Sequence, residues 1–249
     1  MKTLIFATCL TLTFANFPDD NLKQLSHLEN GTTLIDGDII VNKSELSATN
    51  GFRVAMLRDS QLWPQRTVVY QLSPAFSAQQ RNTIRMALEV IKQMSKCITF
   101  KRRTTETDYV NVLNEGGCWS FYGRRGGAQR LTLGEGCLTT HTIVHEFMHS
   151  IGILHEHQRY DRDQYILIHR QNVKVTQLSN FNLLNRMEYR YFRPFDFQSN
   201  MLYGPSAFAN VPGRITMSSR VSGQAVLVDT QKPYLSPGDL KNIHMLYKC

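Results

Sequence analysis

Between His145 and His155 the chain reads H-E-x-x-H-x-x-G-x-x-H. On a helix, His145 and His149 project from one face, one turn apart, so both imidazoles can grip one ion. Gly152 lets the backbone leave the helix through a conformation costly for other residues, and that turn can swing His155 towards the same ion. Three neutral nitrogen ligands leave one tetrahedral position open, the pattern of a catalytic rather than a structural zinc site. Glu146, directly after the first ligand, is placed to reach a metal-bound water.

The rest of the chain must build a scaffold for that segment. Its 249 residues allow one substantial domain or two small lobes. A composition of 42% hydrophobic and 19% charged residues excludes disorder and collagen-like repeats. The formal net charge is +8, yet no dense Lys/Arg run or nucleic-acid motif appears, so nucleic acid is not expected as a partner. Residues 1–53 hold four basic and six acidic side chains, which leaves 24 basic against 14 acidic in residues 54–249. That balance favours acidic substrates or anionic surfaces.

Met1-Lys2 followed by the apolar stretch Leu4 to Ala15 has the form of a secretory signal peptide, too short to span a bilayer. No other run reaches the length of a membrane helix, so a secreted, extracellular product is expected. Of five cysteines, Cys9 leaves with the leader. Cys97, Cys118, Cys137 and Cys249 remain for two disulfides, with three pairings open. Asn30-Gly31-Thr32 and Asn42-Lys43-Ser44 are candidate glycosylation acceptors.

Residues 16–53 are polar and acidic without convincing periodicity. Thr67 to Leu72 reads as a strand. Ser77 and Gln80 form a capping box ahead of Ile84, Leu88, Ile91 and Met94, the buried stripe of an amphipathic helix. Further strands are expected at 97–100, 109–113 and 130–133. The glycine-rich run Gly116 to Gly127 reads as a loop without a phosphate-binding pattern. The metal helix begins near Thr139 or Thr140. The charged segment Glu156 to Asp163 would ordinarily lie in a solvated loop. Residues 164–235 promise few regular elements. Ser236-Pro237-Gly238-Asp239 opens a last helix, whose buried face is Leu240, Ile243, Leu246 and Tyr247.

From Asp36 to Cys249 the chain resembles the astacin family of secreted zinc endopeptidases, which follow the metzincin pattern. The resemblance rests on H-E-x-x-H-x-x-G-x-x-H-E-x-x-R-x-D-R-D over His145 to Asp163. Cys118-Trp119-Ser120, Gly126-Gly127-Ala128-Gln129 and Tyr247-Lys248-Cys249 add to it. It implies an α+β, two-lobed metalloprotease. The N-terminal lobe would hold a twisted mixed sheet and two long helices. The C-terminal lobe would be mostly irregular and end in a helix.

The resemblance also implies a set of roles. His145, His149 and His155 would bind one zinc ion per subunit, and Glu146 would act as general base for the zinc-bound water. Met201 would form the methionine turn, and Tyr203 would hydrogen-bond the transition state. The disulfides would be Cys97–Cys249 and Cys118–Cys137. Ile35-Asp36-Gly37-Asp38 is similar to the family's propeptide switch, with Asp38 as the latent-state zinc ligand. Trp63-Pro64 places the mature start at Val54, whose ammonium would pair with Glu156. The organisation is then a signal peptide over 1–15, a propeptide over 16–53 and a single peptidase domain over 54–249. An activating trypsin-like protease would cut after Arg53, the substrates would be proteins or peptides, and the default state is a monomer. Departures from the pattern include Ile35 for the usual Phe and Leu202 for a His in the methionine turn, with Ser150, His141 and Asn200 also atypical. The alternative is a secreted, non-catalytic binding protein on the same scaffold, or a hydrolase of esters.

Overall fold

The structure is a computed structural model that describes residues 31–43, 59–184 and 193–249. The expected signal peptide, Asn30, Arg53 and Val54 lie outside the described residues.

A seven-stranded mixed sheet forms the backbone of the larger lobe. Its strands are β1 (Thr32–Ile35), β2 (Ile39–Asn42), β3 (Thr67–Leu72), β4 (Thr99–Arg102), β5 (Tyr109–Leu113), β6 (Cys118–Phe121) and β7 (Ala128–Leu133). They lie in the order β1-β2-β6-β7-β5-β3-β4. β3 pairs in parallel with β4 and β5, and β5 with β7, while β6 runs antiparallel to β7. β1 and β2 form a hairpin that adds to the β6 edge, with Ile39 opposite Ser120 and Ile40 opposite Phe121.

Helix α1 (Ala78–Ser95) opens on the expected capping box. The Ser77 hydroxyl accepts from the Gln80 amide at 3.2 Å, and the Gln80 side chain accepts from the Ser77 amide at 2.8 Å. Ile84, Ala87, Leu88 and Ile91 fall on one face and are buried. At about 1.5–3 kcal/mol for each large side chain, that stripe fixes the helix in the core. Helix α2 (Thr140–Ser150) is capped by Thr139, whose hydroxyl accepts from the Thr142 amide at 3.1 Å. Ile143, Val144, Phe147 and Met148 join α1 and the sheet residues Val68, Val110, Val112 and Leu131 in one core. Helix α3 (Pro237–Tyr247) carries the Ser236/Asp239 capping box and adds Ile243 and Tyr247 to that core.

The disulfides are Cys97–Cys249 and Cys118–Cys137, one of the three pairings the cysteine count allowed. The smaller lobe holds only the short antiparallel pair β8 (Ile166–Ile168) and β9 (Met217–Ser219) among its described strands, with short 3-10 turns around it. Its own core gathers Ile166, Phe181, Phe195, Phe197 and Met217.

Two expectations need correction. The glycine-rich run 116–127 is not all loop, because Cys118–Phe121 forms β6. All four of its residues are buried, so it shows no alternation to mark it. Residues 32–42, which lack periodicity, form a hairpin whose neighbour in the sheet, β6, lies some eighty residues away.

Candidate metal centre

Helix α2 delivers His145, Glu146 and His149. The chain then leaves the helix at Gly152 with φ +97°, the left-handed region where a side chain would strain the backbone. His155 returns to face the other two histidines. Its Nε2 lies 3.2 Å from Nε2 of His145 and of His149.

Asp38, in the turn of the β1–β2 hairpin, completes the cluster. Its Oδ2 stands 3.3 Å from Nε2 of His145 and 3.2 Å from Nε2 of His155, and its Oδ1 3.5 Å from Nε2 of His149. One donor atom from each of the four residues lies within 4.8 Å of the others. His149 Nδ1 faces the Ile153 carbonyl at 2.8 Å, and His145 Nδ1 faces the Asn200 carbonyl at 3.1 Å. A ring that donates from Nδ1 to a carbonyl presents a bare lone pair at Nε2.

Protonation suits a cation. Burial pushes His149 down to about 4 and lowers His155, so both rings stay neutral. Burial also pushes His145 down, but the Asp38 hydrogen bond and charge outweigh it, and its pKa is raised. A divalent ion would take the place of that proton. Burial pushes the Asp38 carboxyl up, yet the surrounding imidazoles, His155 foremost, hold it well below the usual carboxylate range. Burial, then the Asp38 charge, raises Glu146 well above its ordinary value. Glu146 Oε2 is buried without a hydrogen-bond partner among the described residues, as expected of a carboxylate poised for a molecule that enters the site.

The hairpin seals the cleft. The Ser120 amide donates to the Asp38 carbonyl at 2.8 Å. The Tyr203 hydroxyl donates to the Asp36 carbonyl, and its ring stacks on His157 at 4.0 Å and tilts against His155 at 4.5 Å. Burial, followed by the charges of Asp38, Asp36 and Glu146, raises the Tyr203 phenol well above its ordinary value, so it stays a donor. Gly37 has φ +84°, and a Cβ there would meet the Phe208 ring at 2.6 Å. That φ strains any residue with a side chain. Leu34 and Ile40 cover Trp119 and Phe121 of β6.

Met201 is 1% exposed, and its carbonyl accepts from the Glu156 amide at 2.8 Å. Glu156 is also buried. Its carboxylate takes a bidentate pair from Arg193 at 2.9 and 3.0 Å, a third bond from Arg159 at 3.1 Å and the Asp196 amide at 2.8 Å. Arg159 and Arg162 are buried too, so the charged segment after His155 is largely interior, with Tyr160 and Asp163 exposed, and is not simply a solvated loop. Its partners at 193 and 196 are too distant in sequence for local reading to find.

Two further residues support the turn. Asp239 is legible only as a helix cap. It also accepts the Ser199 hydroxyl at 2.6 Å and the Asn200 amide at 2.9 Å. Lys232, fully buried at its side chain, donates to the Leu202 carbonyl and pairs with Asp229 at 3.0 Å. No sequence signal singled it out.

The family model for the astacin peptidases matches residues 55–248. Astacin-like metalloprotease toxin 1 of Loxosceles intermedia is 39% identical over 222 residues, 88% of this chain and 82% of that protein. Astacin-like metalloprotease toxin 5 of Loxosceles gaucho is 42% identical over 159 residues, 62% of this chain and 83% of that protein. Among solved structures, high choriolytic enzyme 1, a hatching enzyme zinc-protease from Oryzias latipes, superposes with a TM-score of 0.68. It is 31% identical, and the match covers 78% of this chain and 94% of that one.

Proposed function

This chain belongs to the astacin family and is a zinc metalloprotease, and on that premise we propose that it is a secreted endopeptidase made as a zymogen whose aspartate switch is Asp38. The observation that carries this reading is one carboxylate within 3.5 Å of all three histidine nitrogens. That carboxylate stands on a hairpin that fills the sheet edge an extended peptide would join.

His145, His149 and His155 would hold the zinc ion in the active enzyme, with Asp38 as an added ligand in the latent one. Zinc held by these three residues would supply Lewis acidity, for the scissile carbonyl and for a water whose pKa such an ion brings to roughly 7. The protein supplies the rest. Glu146 takes the proton of the attacking water and returns it to the leaving amine, a role its unpartnered Oε2 suits. Tyr203, released from the Asp36 carbonyl, donates to the oxyanion, a contribution typically of about 3–4 kcal/mol. β6, freed of β2, offers its edge to the substrate backbone.

The division into a signal peptide over 1–15, a propeptide over 16–53 and a peptidase domain over 54–249 fits the family match, which begins at residue 55. The two disulfides favour an oxidising compartment, and no described helix is long and apolar enough to cross a membrane. After a cut at Arg53 by a trypsin-like protease, the Val54 ammonium would join the buried Glu156 cluster. We take the working unit to be a monomer.

The test is cleavage of a generic protein by the purified chain before and after limited trypsin treatment, with and without a zinc chelator. Chelator-sensitive activity that appears only after the Arg53–Val54 bond is cut is expected. A cut, zinc-loaded chain that cleaves nothing, even in a peptide library, would make it a binding protein on this scaffold.

A further inference from the structure

On the sheet edge away from the hairpin, a cavity of about 170 Å³ opens between β3, β4 and α1. Arg81, Arg85, Arg102, Arg103, Tyr70 and Gln71 line it. Two of the four guanidiniums are fixed in place. Arg81 donates to the carbonyls of Phe76 and Pro74, both at 2.8 Å. Arg103 donates to the Glu106 carbonyl at 2.9 Å and to Gln71 Oε1 at 3.0 Å, and lies 4.0 Å above the Tyr109 ring. None of these partners carries charge. The other two are unspent. Among the described residues, the side chains of Arg85 and Arg102 have neither a hydrogen bond nor an ion pair, and both residues are exposed.

Nearby acids are already committed elsewhere. Glu89 pairs with Lys92, Glu106 with Lys101 and Asp108 with Arg124. Four like charges around one cavity repel one another, and Arg81 and Arg85 stand one helical turn apart, a destabilising spacing for like charges. An anion relieves that repulsion, and guanidiniums match carboxylate and phosphate oxygens in bidentate geometry.

We propose that this cavity is an exosite for one anionic side chain, a carboxylate or a phosphate ester, of a protein substrate. The inference rests on the peptidase reading above, which makes protein chains the molecules that the enzyme handles. The volume favours a single group, because sites that enclose a whole small molecule span roughly 300–1,000 Å³. Position supports a substrate role. Four strand spacings separate β6 from β4, about 19 Å, so a segment of roughly six extended residues or more is needed to touch both edges. The prosegment hairpin occupies the other edge and does not compete.

The experiment measures steady-state cleavage by wild type and R85Q/R102Q, both cut at Arg53. The substrates are phosphorylated β-casein, the same casein after phosphatase treatment, and a neutral four-residue fluorogenic peptide. The variant is expected to raise KM for phosphorylated casein at least fivefold, with kcat and peptide turnover unchanged. A smaller KM rise on dephosphorylated casein would assign the site to phosphate, and an equal rise to carboxylates. Casein KM values within twofold of wild type would overturn the proposal. So would a parallel loss on the short peptide, or a heparin oligosaccharide that binds wild type and not the variant while casein KM stays put. If wild type cuts none of the three, the peptidase reading fails instead. Calorimetric binding of phosphorylated casein to wild type against R85Q/R102Q then decides the exosite alone.

Discussion

Two buried polar clusters adjoin at His155 and Glu156, and they are built on opposite principles. In the first, three imidazole nitrogens and the Asp38 carboxylate converge on one point. In the second, the Glu156 carboxylate meets donors from Arg193, Arg159 and the Asp196 backbone, and Arg159 also holds Asp161 with two bonds of 2.9 Å. A buried charge without a partner is costly, and a pair is tolerated when its remaining hydrogen-bonding capacity is met. In the second cluster the Glu156 carboxylate meets that condition by itself, with four donors around it. The first meets it only with a cation or a proton at its centre. One cluster exists to hold the fold, the other to bind.

Changes in either cluster should therefore fail in different ways. The largest expected effect is on rate. Glu146→Gln should keep zinc, read by elemental analysis, and lose about 10³-fold in kcat/KM on a peptide. Retained activity in a purified variant would remove Glu146 from the mechanism. Next comes stability. Glu156→Ala leaves two buried guanidiniums short of a partner and should cost about 3–5 kcal/mol in denaturant unfolding. A loss under about 1 kcal/mol would mean that the second cluster does not hold the fold.

Asp38→Ala should touch latency and not the body of the fold. Lost hydrogen bonds to charged groups are worth about 1.5–3 kcal/mol, or roughly 10- to 150-fold in the population with an open cleft. Uncut variant should therefore cleave a short peptide where uncut wild type does not. An equally silent variant would show that the hairpin's strand pairing suffices.

The smallest effect concerns His141, one helical turn before His145. Burial pushes its pKa from 6.5 down to about 4, and the nearby Lys232 and His145 add to the shift against Asp229. Above pH 6.5 both folded and unfolded chains leave it neutral, so it costs nothing. As pH falls, the unfolded chain takes up the proton first, and the penalty grows until about pH 4. At about pH 5 it amounts to about 2 kcal/mol. His141→Gln should narrow the loss of stability between about pH 7.5 and 5 by about that amount. Parallel stability curves would show that His141 titrates alike in both states.

How much of this was legible follows the range of the signals. The histidine motif, the caps at Ser77 and Ser236, the start of the metal helix near Thr139 and the stripe from Ile84 to Ile91 are local, and the structure places them as read. The β1–β2 hairpin is not local. Its two four-residue strands add to β6, and its turn runs through Gly37 at φ +84°, which favours glycine. The burial of Glu156 and Arg159 depends on Arg193 and Asp196, and Lys232 acquires its role from the Leu202 carbonyl. Such residues look like ordinary surface charges until the chain is folded.

The hairpin has a consequence for dose. It grips β6 by non-covalent contacts alone, and residues 44–58 are all that tie it to the catalytic body. While that tie is intact, the plug is present at an effective concentration on the order of millimolar, whatever the amount of enzyme. A cut at Arg53 would sever that covalent tie and leave the pairing of β2 with β6 in place. It turns a unimolecular equilibrium into a bimolecular one, and occupancy of the cleft then follows total protein. A concentrated store of cut enzyme would remain self-inhibited and become active on dilution.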